Sequence, residues 1–222
     1  MGLRLLQLAD SAVPIGAAAH SFGLETLIED GSLNVGTLKG FLTDYLHETG
    51  VLEVTYCLAA HRCASEEGFV SAWLALNMRL DALKTARESR AASTSLGRRF
   101  LQLVVDLEDE PRLREAIQAA KTEGVGIHQC AAFGLVGGVL GIDAQRTGLA
   151  YLNQSITGLV SACQRLMPLG QTVASQLLWQ LKPIMIEVIN QYKEDVHASA
   201  FTPMVDVGSL RHPALNTRLF IS

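Results

Sequence analysis

Cys57 and His61 are spaced for shared chemistry. Four residues apart, they lie on one face of a helix and present a thiol and an imidazole, two of the donors a metal site needs. Spacing brings no third donor beside them, because neither His47 nor Cys63 can be placed there. Two buried core residues is therefore the competing reading. The six histidines, at 20, 47, 61, 128, 197 and 212, form no His-x-His or His-Glu-x-x-His pair. A serine nucleophile would call for a Gly-x-Ser-x-Gly elbow, and none is written. Nor does any Gly-x-x-x-x-Gly-Lys-Ser/Thr loop cradle a nucleotide phosphate, so nucleotide hydrolysis by this chain alone is not expected. Gly134, Gly137, Gly138 and Gly141 superficially suggest a dinucleotide loop. They sit inside a helical pattern with no preceding strand, and serve better as small residues that let helices touch. If the chain is a small helical enzyme, its candidates are Glu25, His61 and His128, yet these share no fixed spacing.

Such side chains need a body to hold them, and composition bounds that body. The 222 residues suit one large helical domain, long enough for a core without staples. Hydrophobic residues reach 49% against 18% charged, an excess that suggests some apolar surface covered by a partner. A net charge of −4 lacks the basic footprint of a nucleic-acid binder. Cys57, Cys63, Cys130 and Cys163 form no Cys-x-x-Cys pair and follow no secretory signal, so reduced thiols in a cytoplasmic protein are expected. Residues 124–142 carry no charge but contain His128, Gln129 and several glycines, which reads as a buried helix rather than a membrane span.

Hydrophobic periodicity sets out the helices. A short one is expected over 21–30, with Leu24, Leu27 and Ile28 on its stripe. A second is capped by Asn34 and runs to Glu48, with Gly50 closing it. Residues 51–66 are apolar almost all round, the pattern of a central buried helix. Others follow over 69–83 and from about 87 to 107, the latter opened by Thr85-Ala86-Arg87-Glu88 at capping-box spacing. Asp109-Glu110-Pro111 starts the next. Asp143 caps a long helix to about Arg165. The last runs from Thr172 to about Tyr192, with Pro183 set to kink it. No stretch alternates as a strand. The fold expected is all-α, a single-domain bundle of about eight to ten helices over residues 1–200, with a C-terminal tail over 201–222.

Three stretches break this regularity. In the first, Pro14-Ile15-Gly16 makes an elbow between apolar Leu5, Leu6 and Leu8 and a second helical start at Ser21-Phe22-Gly23-Leu24-Glu25. In the second, Arg90 lies seven residues before Gly97 on one helix face. A glycine there points to close approach of another backbone. Arg90 is either a solvated arginine or a buried one that needs a carboxylate. The third is the C-terminus, where Arg211, His212 and Arg218 accompany Leu219, Phe220 and Ile221 in an anchor-and-charge pattern. Either these dock a partner or they pack on their own body and seal the elbow.

Read together, these stretches resemble the urease accessory protein UreF family. That family opens with a leucine-rich run, Pro-(Val/Ile)-Gly and, after a short gap, Ser-x-Gly-Leu-Glu. It carries Arg, a gap and Leu-Gly-x-x-Phe, matched by Arg90 and by Leu96, Gly97 and Phe100. Its Pro-Leu-(Gly/Ser)-Gln break is matched at 168–171, and its Ser-x-Arg-His and Ser-Arg-Leu-(Phe/Tyr)-x-Ser ending at 209–212 and 217–222, with Thr217 in place of the second serine. Pro14, Gly16, His20, Ser21, Gly23, Leu24, Glu25, Arg90 and Gly97 thus become a structural signature. Two positions depart: Ala18 stands where an aromatic residue is common, and His20 where many members have Tyr or Trp.

The resemblance implies an all-α, non-enzymatic protein that tends to form a homodimer. It would bridge UreD (also called UreH) and the GTPase UreG in nickel delivery to apo-urease, whose site needs two nickel ions and a carbamylated lysine. GTP and the nickel-binding motif would belong to UreG, so the chain itself needs no cofactor. The same resemblance points Arg211, His212, Arg218, Leu219, Phe220 and Ile221 toward partner binding, and Arg90 toward a structural ion pair. On the helical stripes alone, the core should be complete without residues 211–222.

Overall fold

The computed structural model describes residues 2–191 and 200–222, and among them it is all helix and connection. The chain opens with α1 (Gly2–Leu8), the elbow, a 3-10 turn over Ala17–Ala19, and α2 (Leu24–Glu29). Next come α3 (Leu38–Tyr45), a π-helical turn over Leu46–Gly50, and α4 (Val51–Cys63). Helices α5 (Phe69–Leu83), α6 (Arg87–Leu107), α7 (Pro111–Glu123) and α8 (Gln129–Val139) follow. Then come α9 (Ala144–Leu166), α10 (Gln171–Asn190) and α11 (Pro203–Arg211). The expected end of the last long helix at Tyr192 lies outside the described residues, as does His197.

Gly50 does not close a helix. Its backbone is helical (φ −61°, ψ −45°), and α3 passes into α4 through the π turn without a break. A β-carbon there would lie against the Leu46 and Leu152 side chains, so this glycine sits within packing rather than at a helix end. Counted as continuous rods, the described helices number ten, within the expected range.

Two apolar clusters fill the body. One gathers Trp73 of α5, Phe100 of α6, Leu113 of α7 and Phe133 of α8, the other Leu42 of α3, Ile156 of α9 and Leu181 of α10. Helix α4 feeds both, with Tyr56 and Cys57 in the first and Val54 and Leu58 in the second. That double duty is why its sequence shows no polar face. Trp73 is fully buried, and its indole N–H donates to the Ala116 carbonyl at 3.2 Å, tying α5 to α7.

The central contact is α8 against α4, and glycine makes it possible. Gly134 lies on the Cys57 carbonyl and Gly138 on the His61 carbonyl, so steps of four residues on one helix match steps of four on the other. Gly137 faces Thr147 of α9. Gly97 of α6 sits against the backbone at Ile127 and His128, the close approach its position in mid-helix implies. A β-carbon at any of these would force helices apart.

Substitution at two glycines separates packing from propensity. Gly134→Ala should lose about 2 kcal/mol or more, because overpacking against the Cys57 carbonyl exceeds the gain in helix propensity. Gly158 of α9 has open space around it, and Gly158→Ala should gain about 0.5–1 kcal/mol. Urea unfolding of the two variants measures both signs.

Candidate functional site

The residues singled out at the elbow and at the C-terminus come together. Elbow carbonyls are held by long side chains from the body. Gln154 of α9 donates to Leu8 O at 3.0 Å and Asp10 O at 3.3 Å, Arg99 of α6 to Ile15 O at 3.3 Å, and Arg165 to Ala18 O at 2.7 Å. Gly16 (φ +85°) takes the left-handed turn, and a β-carbon there would meet the Arg99 guanidinium. Phe22 (φ +51°) and Gly23 (φ +86°) then turn the chain into α2.

Residues 201–222 do not form the irregular tail that their hydrophobic pattern predicts. Helix α11, its approach and the residues after it lie back on α2 and α6. Gly23 and Gly208 allow the α2 entrance and α11 to touch. Phe201 N–H donates to Glu48 at 2.9 Å and Ser89 Oγ to Ser209 Oγ at 2.8 Å. The Ser222 carbonyl accepts from the Ser21 and Phe22 N–H groups, and His20 Nδ1 sits 2.7 Å from Ser222 Oγ.

One carboxylate governs this assembly. Glu25 is 5% exposed. Its Oε1 accepts from Leu219 N–H at 2.6 Å, and its Oε2 from Phe220 N–H at 3.2 Å and faces His212 Nε2 at 2.8 Å. The other ring nitrogen of His212 faces Glu88 Oε2, also at 2.8 Å. Both contacts are hydrogen bonds only when each ring nitrogen carries a hydrogen, since an ionised carboxylate only accepts. Glu88 is therefore not the fourth residue of a capping box. Helix α6 begins after Ala86 without a side-chain cap, and the carboxylate faces the imidazole instead. Asp143, by contrast, caps α9 by accepting from Arg146 N–H at 2.9 Å.

The candidate docking residues divide by burial. His212 and Phe220 are buried, the latter at 4% exposure inside the second core cluster with the Arg165 guanidinium 4.3 Å above its ring. Arg211, Arg218, Leu219 and Ile221 are exposed. The core is thus not complete without residues 211–222, because His212 and Phe220 are part of it. Periodicity does not reveal this, since residues 212–222 run too irregularly to write a stripe.

Arg90 is not the buried member of an ion pair. Its side chain is 36% exposed, its nearest carboxylate is Asp81 at 3.8 Å, and it donates to the Lys84 carbonyl at 3.0 Å. A pair so solvated contributes up to about 1 kcal/mol. The buried pair lies where sequence reading did not look, between Glu53 of α4 and Lys84, 2.7 Å apart, with the Tyr151 hydroxyl donating to the same carboxylate at 2.8 Å. Burial alone would lower the Lys84 pKa, but Glu53 together with Cys130 and Asp206 more than offsets it and the net direction is up. A cavity of about 150 Å³ borders this pair, walled partly by Ala200, Thr202, Val205 and Asp206. A glutamate inside an otherwise apolar helix pattern was the available signal.

Candidates for catalysis or metal binding are dispersed among different partners. His61 Nε2 faces the Ile142 carbonyl at 2.7 Å. His128 is fully buried, with Nδ1 at 3.1 Å from Ser93 Oγ and its backbone N–H donating to Asn77. Burial, then Lys84 and Arg90, push its pKa down to about 3, so the ring is neutral despite Asp81 at 3.6 Å. Burial raises the thiols as well, Cys57 well above its ordinary value, Cys63 to about 11, and Cys130 and Cys163 to about 12. Such thiols are poor nucleophiles and poor ligands at neutral pH. Among the described residues no three His, Cys, Asp or Glu side chains are grouped to hold a metal, and no helix is long and apolar enough to cross a membrane.

Fold and site together define an all-helical protein whose converging polar groups fasten one chain segment to another. The family model for UreF matches residues 33–182. The chain is 32% identical to the urease accessory protein UreF of Bacillus sp. (strain TB-90), over 99% of this chain and 98% of that protein. It is 34% identical to that of Lachnoclostridium phytofermentans over 99% and 98%, and 29% identical to urease accessory protein F of Oryza sativa subsp. japonica over 96% and 82%. The chain belongs to the UreF family of urease accessory proteins, which places it in urease maturation.

Two substitutions check the electrostatics. Glu25→Gln removes the buried charge and replaces one accepting oxygen with an NH2 donor, so it keeps an acceptor for only part of the set formed by Leu219 N–H, Phe220 N–H and His212. It should lose about 3 kcal/mol or more, while exposed Glu29→Gln should stay within about 0.5 kcal/mol. Chemical denaturation at neutral pH compares them. His128 has the opposite linkage to a paired histidine. Its folded pKa lies below the unfolded one, so its stabilisation is present above pH 6.5 and is lost as pH falls toward 3. Between pH 6.5 and 5 that loss is about 2 kcal/mol. His128→Asn should flatten the stability profile in that window, and an unchanged slope would reject the assignment.

Proposed function

We propose that the chain is a non-catalytic, chaperone-type scaffold that bridges UreD (UreH) and the GTPase UreG during nickel insertion into apo-urease, as a homodimer in the cytoplasm. The observation that carries this reading is the match to urease accessory proteins along nearly the whole chain. Nickel is cargo in this scheme and GTP is bound by UreG, so the chain keeps no resident cofactor. Its own part is to present surfaces, and through them to influence hydrolysis by UreG. The buried, high-pKa thiols and the dispersed histidines support a protein that binds partners rather than reacting groups.

The C-terminal segment supplies one such surface. Leu219 and Ile221, 62% and 68% exposed, alternate with buried Phe220 and Ser222, so an anchored backbone holds two apolar side chains outward. Exposed Arg211 and Arg218 flank them. Met204, Val207 and Leu210 of α11 add exposed apolar residues at helical spacing. His212 and Phe220 act from beneath by holding that backbone.

This division generates the test. The double variant Leu219→Asp/Ile221→Asp should keep its stability within about 0.5 kcal/mol yet lose UreG when co-purified with UreD and UreG. Unimpaired capture would remove the C-terminal surface from the reading. Failure of the unmodified chain to co-purify with UreD and UreG would overturn the scaffold itself. Light scattering of the purified protein should give a mass near twice 23.9 kDa.

A further inference from the structure

Helices α6 and α7, with the connection at 124–127, enclose a groove of about 880 Å³ that shares no residue with the C-terminal segment. Its floor carries the apolar residues Ile117, Val125 and Ile127, and Thr94, Ser95, Gln102 and Gln118 line the groove as well. Ile127 is buried, and Ile117 and Val125 are half-buried along it. Its rim is basic, with Arg98 and Arg99 on α6 and Lys121 on α7. Among the described residues, none of these three forms an ion pair, although Arg99 is committed to the Ile15 carbonyl. Among the described residues no carboxylate lines the groove, in a chain that carries 22 acidic and 18 basic residues.

Side chains of opposite character are layered here as a partner helix would need them. An apolar trough between two helices accepts the apolar face of a third, and unpaired cations at its edges accept that helix's acidic flank. Three cations above an apolar floor do not make the continuous basic stripe that tracks a phosphate backbone. We propose that this groove binds an acidic amphipathic helix of a protein partner. The partner's apolar residues rest on Ile117, Val125 and Ile127, and its carboxylates meet Arg98, Arg99 and Lys121. The inference does not depend on the bridging role, because the residues and the probe are different.

Fluorescence anisotropy tests it on the full chain, with a labelled peptide of about 18 residues bearing Leu and Glu at amphipathic helical spacing. A twin peptide with Lys for Glu and an oligo-dT strand serve as comparisons. The acidic peptide should bind saturably, more weakly as salt rises, and the basic twin should not bind. Arg98→Glu/Lys121→Glu should weaken the acidic peptide at least about tenfold, as should Val125→Asp at the floor. Arg98 and Lys121 are exposed, so thermal melts by circular dichroism should match the unmodified chain. Absence of saturable binding, equal binding by the double variant, or equal binding of the basic twin overturns the proposal. Tighter binding of oligo-dT that is lost in the double variant and kept in Val125→Asp also overturns it, in favour of a phosphate site.

Discussion

A buried carboxylate that accepts from three directions organises one end of this molecule. Glu25 cannot be left without donors at 5% exposure, because an unpaired charge there would cost several kcal/mol. Two of its donors are backbone N–H groups at Leu219 and Phe220, and a third contact is the His212 ring. The C-terminal segment must therefore return to α2. Once it does, the Phe220 ring enters the second core cluster and Glu88 finds the far side of the same imidazole. Capping of α6 gives way to this arrangement, since a carboxylate gains more from a buried donor than from an exposed helix end.

The opposite solution operates at the centre. Helices α4 and α8 meet where glycines on α8 let backbone rest on backbone. Dispersion over such a contact is large because the surfaces are close along several turns. The Glu53–Lys84 pair and the Tyr151 hydroxyl form a polar island beside this packing. The molecule thus combines a rigid, glycine-set core with a polar latch at its C-terminal end.

This combination suits the scaffold proposed above, in which the working parts of a protein of urease maturation are surfaces. Anchoring alternate residues of the final stretch inward turns the intervening ones outward, so Phe220 and Ser222 determine where Leu219 and Ile221 point. A presenting segment gains from such rigidity, because side chains held in place lose less entropy when they meet a partner. Buried histidines and thiols have settled partners or strongly displaced proton affinities, which suits structural roles.

Much of the fold was written in sequence. Periodicity identified the helices over 69–83 and around α6, α9 and α10, because an amphipathic stripe records which face each helix buries, while α7 was legible from its Asp109-Glu110-Pro111 start and α8 from its uncharged run. Gly97, Gly134, Gly137 and Gly138 announced close packing, although Gly158, equally mid-helix, has open space around it. The elbow, the Ser-x-Gly-Leu-Glu start and the C-terminal motif carried the resemblance to UreF. Sequence did not decide what those motifs touch. Glu88 at capping-box spacing and a proline-punctuated ending each had a local reading, and each was overruled by a contact distant along the chain, whereas Arg90 keeps to its near neighbours Asp81 and Lys84. Glu25 and His212 are 187 residues apart, and Glu53 and Lys84 are 31 apart. Local pattern reports the burial of a face. Pairing of charges depends on which faces meet, and only the folded chain brings those faces together.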